Sequence, residues 1–150
     1  MQPAIDKFLD SPAGGNQGGG LLAESYPKLK SRTFCTAAII EIRHDGPHWR
    51  VGMETSCAEY GRRGHTLLTG TAGGSDEVMV LARSADGHYR VVSAVSDNWP
   101  VVPDTRWVDR HFSPGAAHEI NYGTWPAPAN PVVQAWRAFG FPPGTRAVNP

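Results

Sequence analysis

The chain has 150 residues, a formal net charge of +0 and an apolar fraction of 40%. That length lets one domain bury roughly two-thirds of its unfolded surface without a metal. The neutral balance, with no window rich in Lys and Arg, argues against nucleic acid as a partner, because phosphate neutralisation supplies most of that affinity. No apolar run is long enough for a transmembrane segment, and the start, MQPAIDKFLDSPAGG, lacks the basic and apolar stretches of a secretory signal. Lysine occurs only at Lys7, Lys28 and Lys30, the other basic residues being Arg. With many Ala, Gly and Pro, this suggests a GC-rich, bacterial gene.

A single domain over 1–150 is expected, in three segments: helices and a Gly-rich loop over 1–32, a sheet over 33–99, and helices and a tail over 100–150. PAIDKFLDS makes two helical turns with Ile5, Phe8 and Leu9 on one side. PAGGNQGGG, Pro12 to Gly20, reads as a flexible linker because glycine raises the entropy cost of ordering. A phosphate-binding loop would need a strand before it and a Lys-Ser/Thr helix after it, and neither is present. LLAESYP is a short second helix ended by Pro27.

From Thr33 the pattern changes to period two. It predicts five strands, at 33–44, 48–60, 65–72, 77–84 and 88–97. Asp45-Gly46 and Asp86-Gly87 are hairpin signals. GRRG, Gly61 to Gly64, is expected to join the second strand to the third, and GGSD, Gly73 to Asp76, the third to the fourth. After NWPVVP the chain turns helical twice. In SPGAAHEI, Ser113 caps and Pro114 takes the first helical position. In NPVVQAWRAFGF, Asn130 caps, Pro131 starts and Gly140 stops, with Val132, Trp136 and Phe139 as a docking stripe. PPGTRAVNP is a tail. The fold class is α+β: a curved antiparallel meander of about five strands, with short N-terminal helices and one or two C-terminal helices.

This order, with PAIDKFLDS and LLAESYP ahead of the strands, resembles the cystatin-like roll of the nuclear-transport-factor-like and ketosteroid-isomerase-like superfamily. The resemblance is architectural and covers about residues 4 to 100. It carries no family residue onto this chain.

The two cysteines, Cys35 and Cys57, flank the Asp45-Gly46-Pro47 turn. With a three-residue loop His44 faces His48, and Cys35 then faces Cys57, close enough for a bridge. The apolar face of Phe34, Ala38, Ile40 and Ile42 against Trp49, Val51 and Met53 demands a register shifted by one, which sets Cys57 across from Phe34. A bulge near Thr55-Ser56 reconciles the two. A bond between Cys35 and Cys57 is the expectation, against two buried thiols. A bonded pair favours an exported or cell-envelope location, and a reduced pair a cytoplasmic one.

No cofactor and no metal are expected. His44 and His48 flank a turn, and His111 and His118 flank a helix start; neither pair has ligand spacing with a nearby Glu. No GxSxG elbow marks a nucleophile. The fourth and fifth strands are apolar on both faces: Val78, Val80 and Ala82 against Met79 and Leu81, then Tyr89, Val91 and Val95 against Val92 and Ala94. Helices cover one face; the other lines a cavity or meets a second copy of the chain. Tyr89, Trp99 and Trp107 are the candidate binding residues. The leading expectation is a non-enzymatic binding module, exported or envelope-associated, for an unidentified protein or a small apolar ligand. The alternative is a small cyclase or isomerase with Asp97 or Asp109 as general base, its pKa raised by an apolar pocket.

Overall fold

The computed structural model describes residues 1–11, 14, 20–97 and 105–150. In chain order it contains α1 (Gln2–Leu9), α2 (Leu21–Ser25), a 3-10 turn (Pro27–Leu29), β1 (Arg32–Asp45), β2 (His48–Arg63), β3 (Thr66–Arg83) and β4 (Tyr89–Ser96). Then follow α3 (Thr105–His111), α4 (Pro114–Tyr122), α5 (Val132–Phe139) and β5 (Ala147–Val148). The class is α+β, with a sheet of order β1-β2-β3-β4 and β5 added in parallel to β3. The linker expected over Pro12 to Gly20 falls largely outside the described residues.

The hairpin turns follow from glycine. β1 and β2 are separated by Gly46 and Pro47, and β2 and β3 by Gly64 and His65. Gly46 has φ 57° and Gly64 φ 61°, whereas Pro47 and His65 keep negative φ. A positive φ first and a negative one second is the II′ pattern, whose twist suits adjacent antiparallel strands. The second turn therefore sits at Gly64-His65, at the end of GRRG.

GGSD is not a turn. It lies inside β3, an 18-residue strand that replaces the two strands expected at 65–72 and 77–84. Gly73 and Gly74 lack the positive φ of a tight turn. A Cβ at Gly74 would lie 2.9 Å from the Thr55 carbonyl oxygen, so this glycine serves a close strand approach. Thr55 Oγ1 also donates to the Ser75 carbonyl at 3.1 Å. The sheet still has five strands, because the expected tail supplies β5, pairing Leu67 with Ala147 and Leu68 with Val148. Helix α3 was likewise not anticipated.

A second correction concerns facing. β3 and β4 are antiparallel with Val80 opposite Ser93 and Leu81 opposite Val91, which leaves Val92 as an extra residue. This bulge reverses the alternation. Val91 therefore shares its face with Ala94, and not with Val95 as strict period two requires. Ile42, expected in the core, is 47% exposed.

The chain divides into two compact units: Met1–Lys7, Ala37–Thr55 and Gly74–Pro128 form the first; Phe8–Thr36, Ser56–Gly73 and Ala129–Pro150 form the second. The first has a core of Val78, Val108, Phe112, Ala116 and Ala117, with Ile40, Trp107 and Ile120 packed on it. Charged strand residues fasten its helices. Arg43 and Arg50 each donate to the His111 carbonyl, 3.1 Å in both cases, at the negative end of α3. The Glu41 carboxylate accepts from the Ser113 N–H at 3.1 and 3.2 Å, just before α4. Ser113 caps as expected, accepting from the Ala116 N–H at 3.3 Å, with Pro114 at the first position.

In the second unit, Phe34, Ala58, Tyr60, Leu67 and Ala135 form the core, under Val132, Trp136, Phe139, Phe141 and Ala147. Helix α5 is thus docked by its apolar stripe. Trp136 Nε1 donates to the Thr145 carbonyl at 2.8 Å, and Gln134 Nε2 to the Cys35 carbonyl at 3.0 Å. Thr36 Oγ1 donates to the Ala129 carbonyl. Asn130 Oδ1 accepts from the Val132 N–H, and Gly140 closes the helix at φ 71°. Cys35 and Cys57 are bonded, their Cα atoms 4.1 Å apart. From Asp45 to Cys35 is ten residues and from His48 to Cys57 nine. The loop, Gly46-Pro47, is one residue shorter than the three-residue loop expected, so the two strands differ by one residue between turn and disulfide.

Candidate functional site

In the second unit, Ser25, Tyr26, Pro27, Lys28 and Leu29 line a hollow of about 410 Å³. That volume is in the range of small-molecule sites. Tyr26, Pro27 and Leu29 bring apolar side chains to this lining, and Ser25 and Lys28 bring polar ones. Leu21 and Tyr26, on the same segment, remain 51% and 39% exposed.

Five residues of α2 are too few to hold their own shape in water. Strand β2 supplies the hold, through Glu59, which is only 3% exposed. Its Oε2 accepts from the Leu22 N–H at 2.8 Å, and its Oε1 from the Ala23 N–H at 2.8 Å and from Ser31 Oγ at 2.7 Å. Leu22 and Ala23 precede the hollow in the chain and Ser31 follows it. One carboxylate therefore ties both ends of the lining segment. It also meets the orphan donors of the α2 N-terminus.

Burial alone would raise the Glu59 pKa. The Ser31 hydroxyl and the Leu22, Ala23 and Thr71 N–H groups outweigh that, and the pKa lies below its ordinary value. Space for the carboxylate comes from missing side chains. A Cβ at Gly20 would sit 2.2 Å from Glu59 Oε2, and one at Gly70 would sit 2.3 Å from it and 2.7 Å from Leu22 Cγ. The segment leaves through Lys30, at φ 53°, the one non-glycine residue with positive φ among the described residues. A left-handed backbone there costs roughly 1–2 kcal/mol.

The first unit buries carboxyls of opposite character. Asp76 and Glu77 are 3% and 7% exposed. Burial, then the charges of Glu54 and Asp97, push Asp76 up to about 6. Burial pushes Glu77 up to about 7 and raises Glu54 as well. The Asp97 N–H donates to the Asp76 carbonyl at 2.9 Å, continuing the register in which Glu77 faces Ser96. Asp76 and Asp97 are therefore cross-strand neighbours on one face.

The residues singled out from sequence are dispersed. Tyr89 begins β4, with the Arg83 guanidinium 5.9 Å from its ring centroid. Asp97 follows the other end of that strand, roughly 25 Å along it. Trp107 packs on the helical core, stacked on His111 at 4.2 Å. Asp109 Oδ1, on α3, accepts from Asn121 Nδ2 at 3.3 Å. Trp99 lies outside the described residues. Among the described residues, no group of three or more His, Cys, Asp or Glu is arranged to hold a metal, and no helix is long and apolar enough to cross a membrane.

Glu59 and Asp76 escaped sequence reasoning for different reasons. Glu59 sits in CAEYG, where Ala58, Glu59, Tyr60 and Gly61 are all buried, so no alternation marks which side it takes. Asp76 belongs to GGSD, which carries every signal of a turn. No protein-family model, curated protein or solved structure matches the chain.

Proposed function

We propose that the chain is a non-enzymatic binding module whose site is the Ser25–Leu29 hollow and whose ligand is a small apolar molecule. The observation that supports this is the hollow itself: about 410 Å³, with Tyr26, Pro27 and Leu29 as walls. The Glu59 carboxylate prearranges those walls, which cuts the ordering cost of binding. The Cys35–Cys57 bond supports an exported or envelope location, since such bonds persist in oxidising compartments. Kinship with the cystatin-like roll is part of the same proposal, supported by short helices ahead of an antiparallel sheet.

The test is a fluorescence titration with the neutral apolar probe N-phenyl-1-naphthylamine. Wild type should bind it saturably at one site. Leu29→Asp, which sets a charge in the wall, should lose at least tenfold in affinity, about 1.4 kcal/mol, with its far-UV circular dichroism unchanged. Equal binding by wild type and Leu29→Asp would sink the proposal.

A second reading has one specific observation behind it. An Asp76 carboxyl that titrates at about 6 is tuned to the range of a general acid or base. In an isomerase-like reading this group takes the role expected of Asp97 or Asp109, with Asp97 beside it as the charge that helps raise it.

A further inference from the structure

Helices α3 and α4 of the first unit frame a second hollow, of about 350 Å³, with a different lining: Asp109, Pro114, Ala117, His118, Asn121 and Tyr122. Five of these recur on α4 at spacings of three and four, so they occupy one face of that helix. Asp109 comes from α3 and supplies the negative charge of the lining, which contains no Lys or Arg. Its Oδ1 accepts from Asn121 Nδ2 at 3.3 Å, which orients the carboxylate. The His118 and Tyr122 rings lie together, centroids 4.4 Å apart and tilted by 44°. Tyr122 is 72% exposed, the highest exposure of any large hydrophobic residue described. Its ring adds little to the core and stands open at the edge of the hollow.

We propose that this hollow is a binding site for a small organic ammonium ion, with Asp109 as its counter-charge and the His118 and Tyr122 rings as its walls. An anion is disfavoured twice, by the carboxylate and by the negative face of the Tyr122 ring. A cation is attracted by both. A hard metal ion needs about six oxygen ligands, and this lining offers a single carboxylate. An alkylammonium needs fewer: one charge partner for its head, and ring surface for its methylenes. The site differs from the Ser25–Leu29 hollow in chemistry and stands whether or not that hollow binds anything.

The experiment is an NMR titration of the full chain with n-butylammonium, with 1-butanol as the neutral isostere and methyl glucoside as a sugar probe. Saturable shifts should appear at the His118 and Tyr122 ring resonances with butylammonium. Butanol and the sugar should bind at least tenfold more weakly. Asp109→Asn should lower butylammonium affinity at least tenfold. Tyr122→Leu, at an exposed position that cannot decide folding, should lower it at least threefold. The proposal is overturned if butanol or the sugar binds as well as the cation, or if Tyr122→Leu leaves the affinity unchanged.

Discussion

Glu59 in the second unit and Asp76 in the first are equally hidden from water, at 3% exposure each. Their pKa values nevertheless move in opposite directions. Burial pushes both up. Around Glu59, one hydroxyl and three backbone N–H groups converge on the carboxylate and reverse the sign. Around Asp76, the neighbouring charges of Glu54 and Asp97 add to burial. At Asp76 burial is the largest cause, whereas at Glu59 the donors that point at the carboxylate outweigh it. The ionised group builds a structure, the walls of a hollow. Asp76 and Glu77, pushed up to about 6 and about 7, keep their protons to a higher pH than ordinary carboxyls do.

The largest effect should come from Glu59→Gln. The amide keeps one oxygen but turns an NH2 towards N–H groups that need acceptors. Leaving such donors unmet costs about 3 kcal/mol in sum, measurable by urea denaturation at pH 7. The penalty should shrink below pH 4.5, because stability from a carboxylate with a lowered pKa is lost as pH falls through that pKa. A penalty that ignores pH would show that Glu59 acts by shape and not by charge.

Gly70→Ala should cost about 2 kcal/mol. Its Cβ would press on Glu59 Oε2 and Leu22 Cγ, at 2.3 and 2.7 Å, and both groups are buried. The same urea melts, with the naphthylamine titration, should show stability and probe binding falling together. Unchanged stability would mean that the Glu59 cradle is loose.

The pH dependence of stability sharpens the contrast from the other side. Asp76 and Glu77 titrate at about 6 and about 7 when folded, against ordinary values of 3.8 and 4.5. Between those limits the native state holds more protons than the unfolded one. Stability therefore falls as pH rises from 5 to 8, by about 2 kcal/mol once the shifts are discounted for relaxation. Below pH 4.5 the protonation of Glu59 reverses the trend. Chemical melts across this range should give a maximum on the acid side of neutrality; a plateau from pH 5 to 8 would contradict it.

The smallest effect belongs to Asp76→Asn. Removing the ionisable group should raise stability by about 1 kcal/mol at pH 8 and by roughly half as much at pH 5, where the unfolded carboxyl is already ionised and the folded one is not. Destabilisation at pH 8 would mean that the Asp76 charge is held by donors, as that of Glu59 is.

Much of the fold was legible because its signals are local. Asp45-Gly46 marks a hairpin and Ser113-Pro114 opens a helix by chemistry contained in a few residues, whereas α5 begins one residue later than expected, at Val132 with Pro131 before it. The disulfide is present as expected, although the count that pointed to it used a three-residue loop and the loop has two residues, Gly46 and Pro47. What escaped depends on contacts distant in sequence. Gly74 reads as a turn until Thr55 is beside it. The extra Val92 cannot be seen without its partner strand, and it alone reverses the facing of β4. β5 is a strand only because β3 is there to pair with it. The candidate site was hidden in the same way. SYPKL reads as the end of a helix, and Glu59, 30 residues on from Leu29, ties down the residues on either side of it.

The most direct test of the account is to find where an apolar ligand sits. Intermolecular nuclear Overhauser effects from bound N-phenyl-1-naphthylamine should reach the Tyr26 ring and the Leu29 methyl groups. Contacts to those two residues are the predicted result. A saturably bound probe whose contacts lie elsewhere in the chain would contradict it.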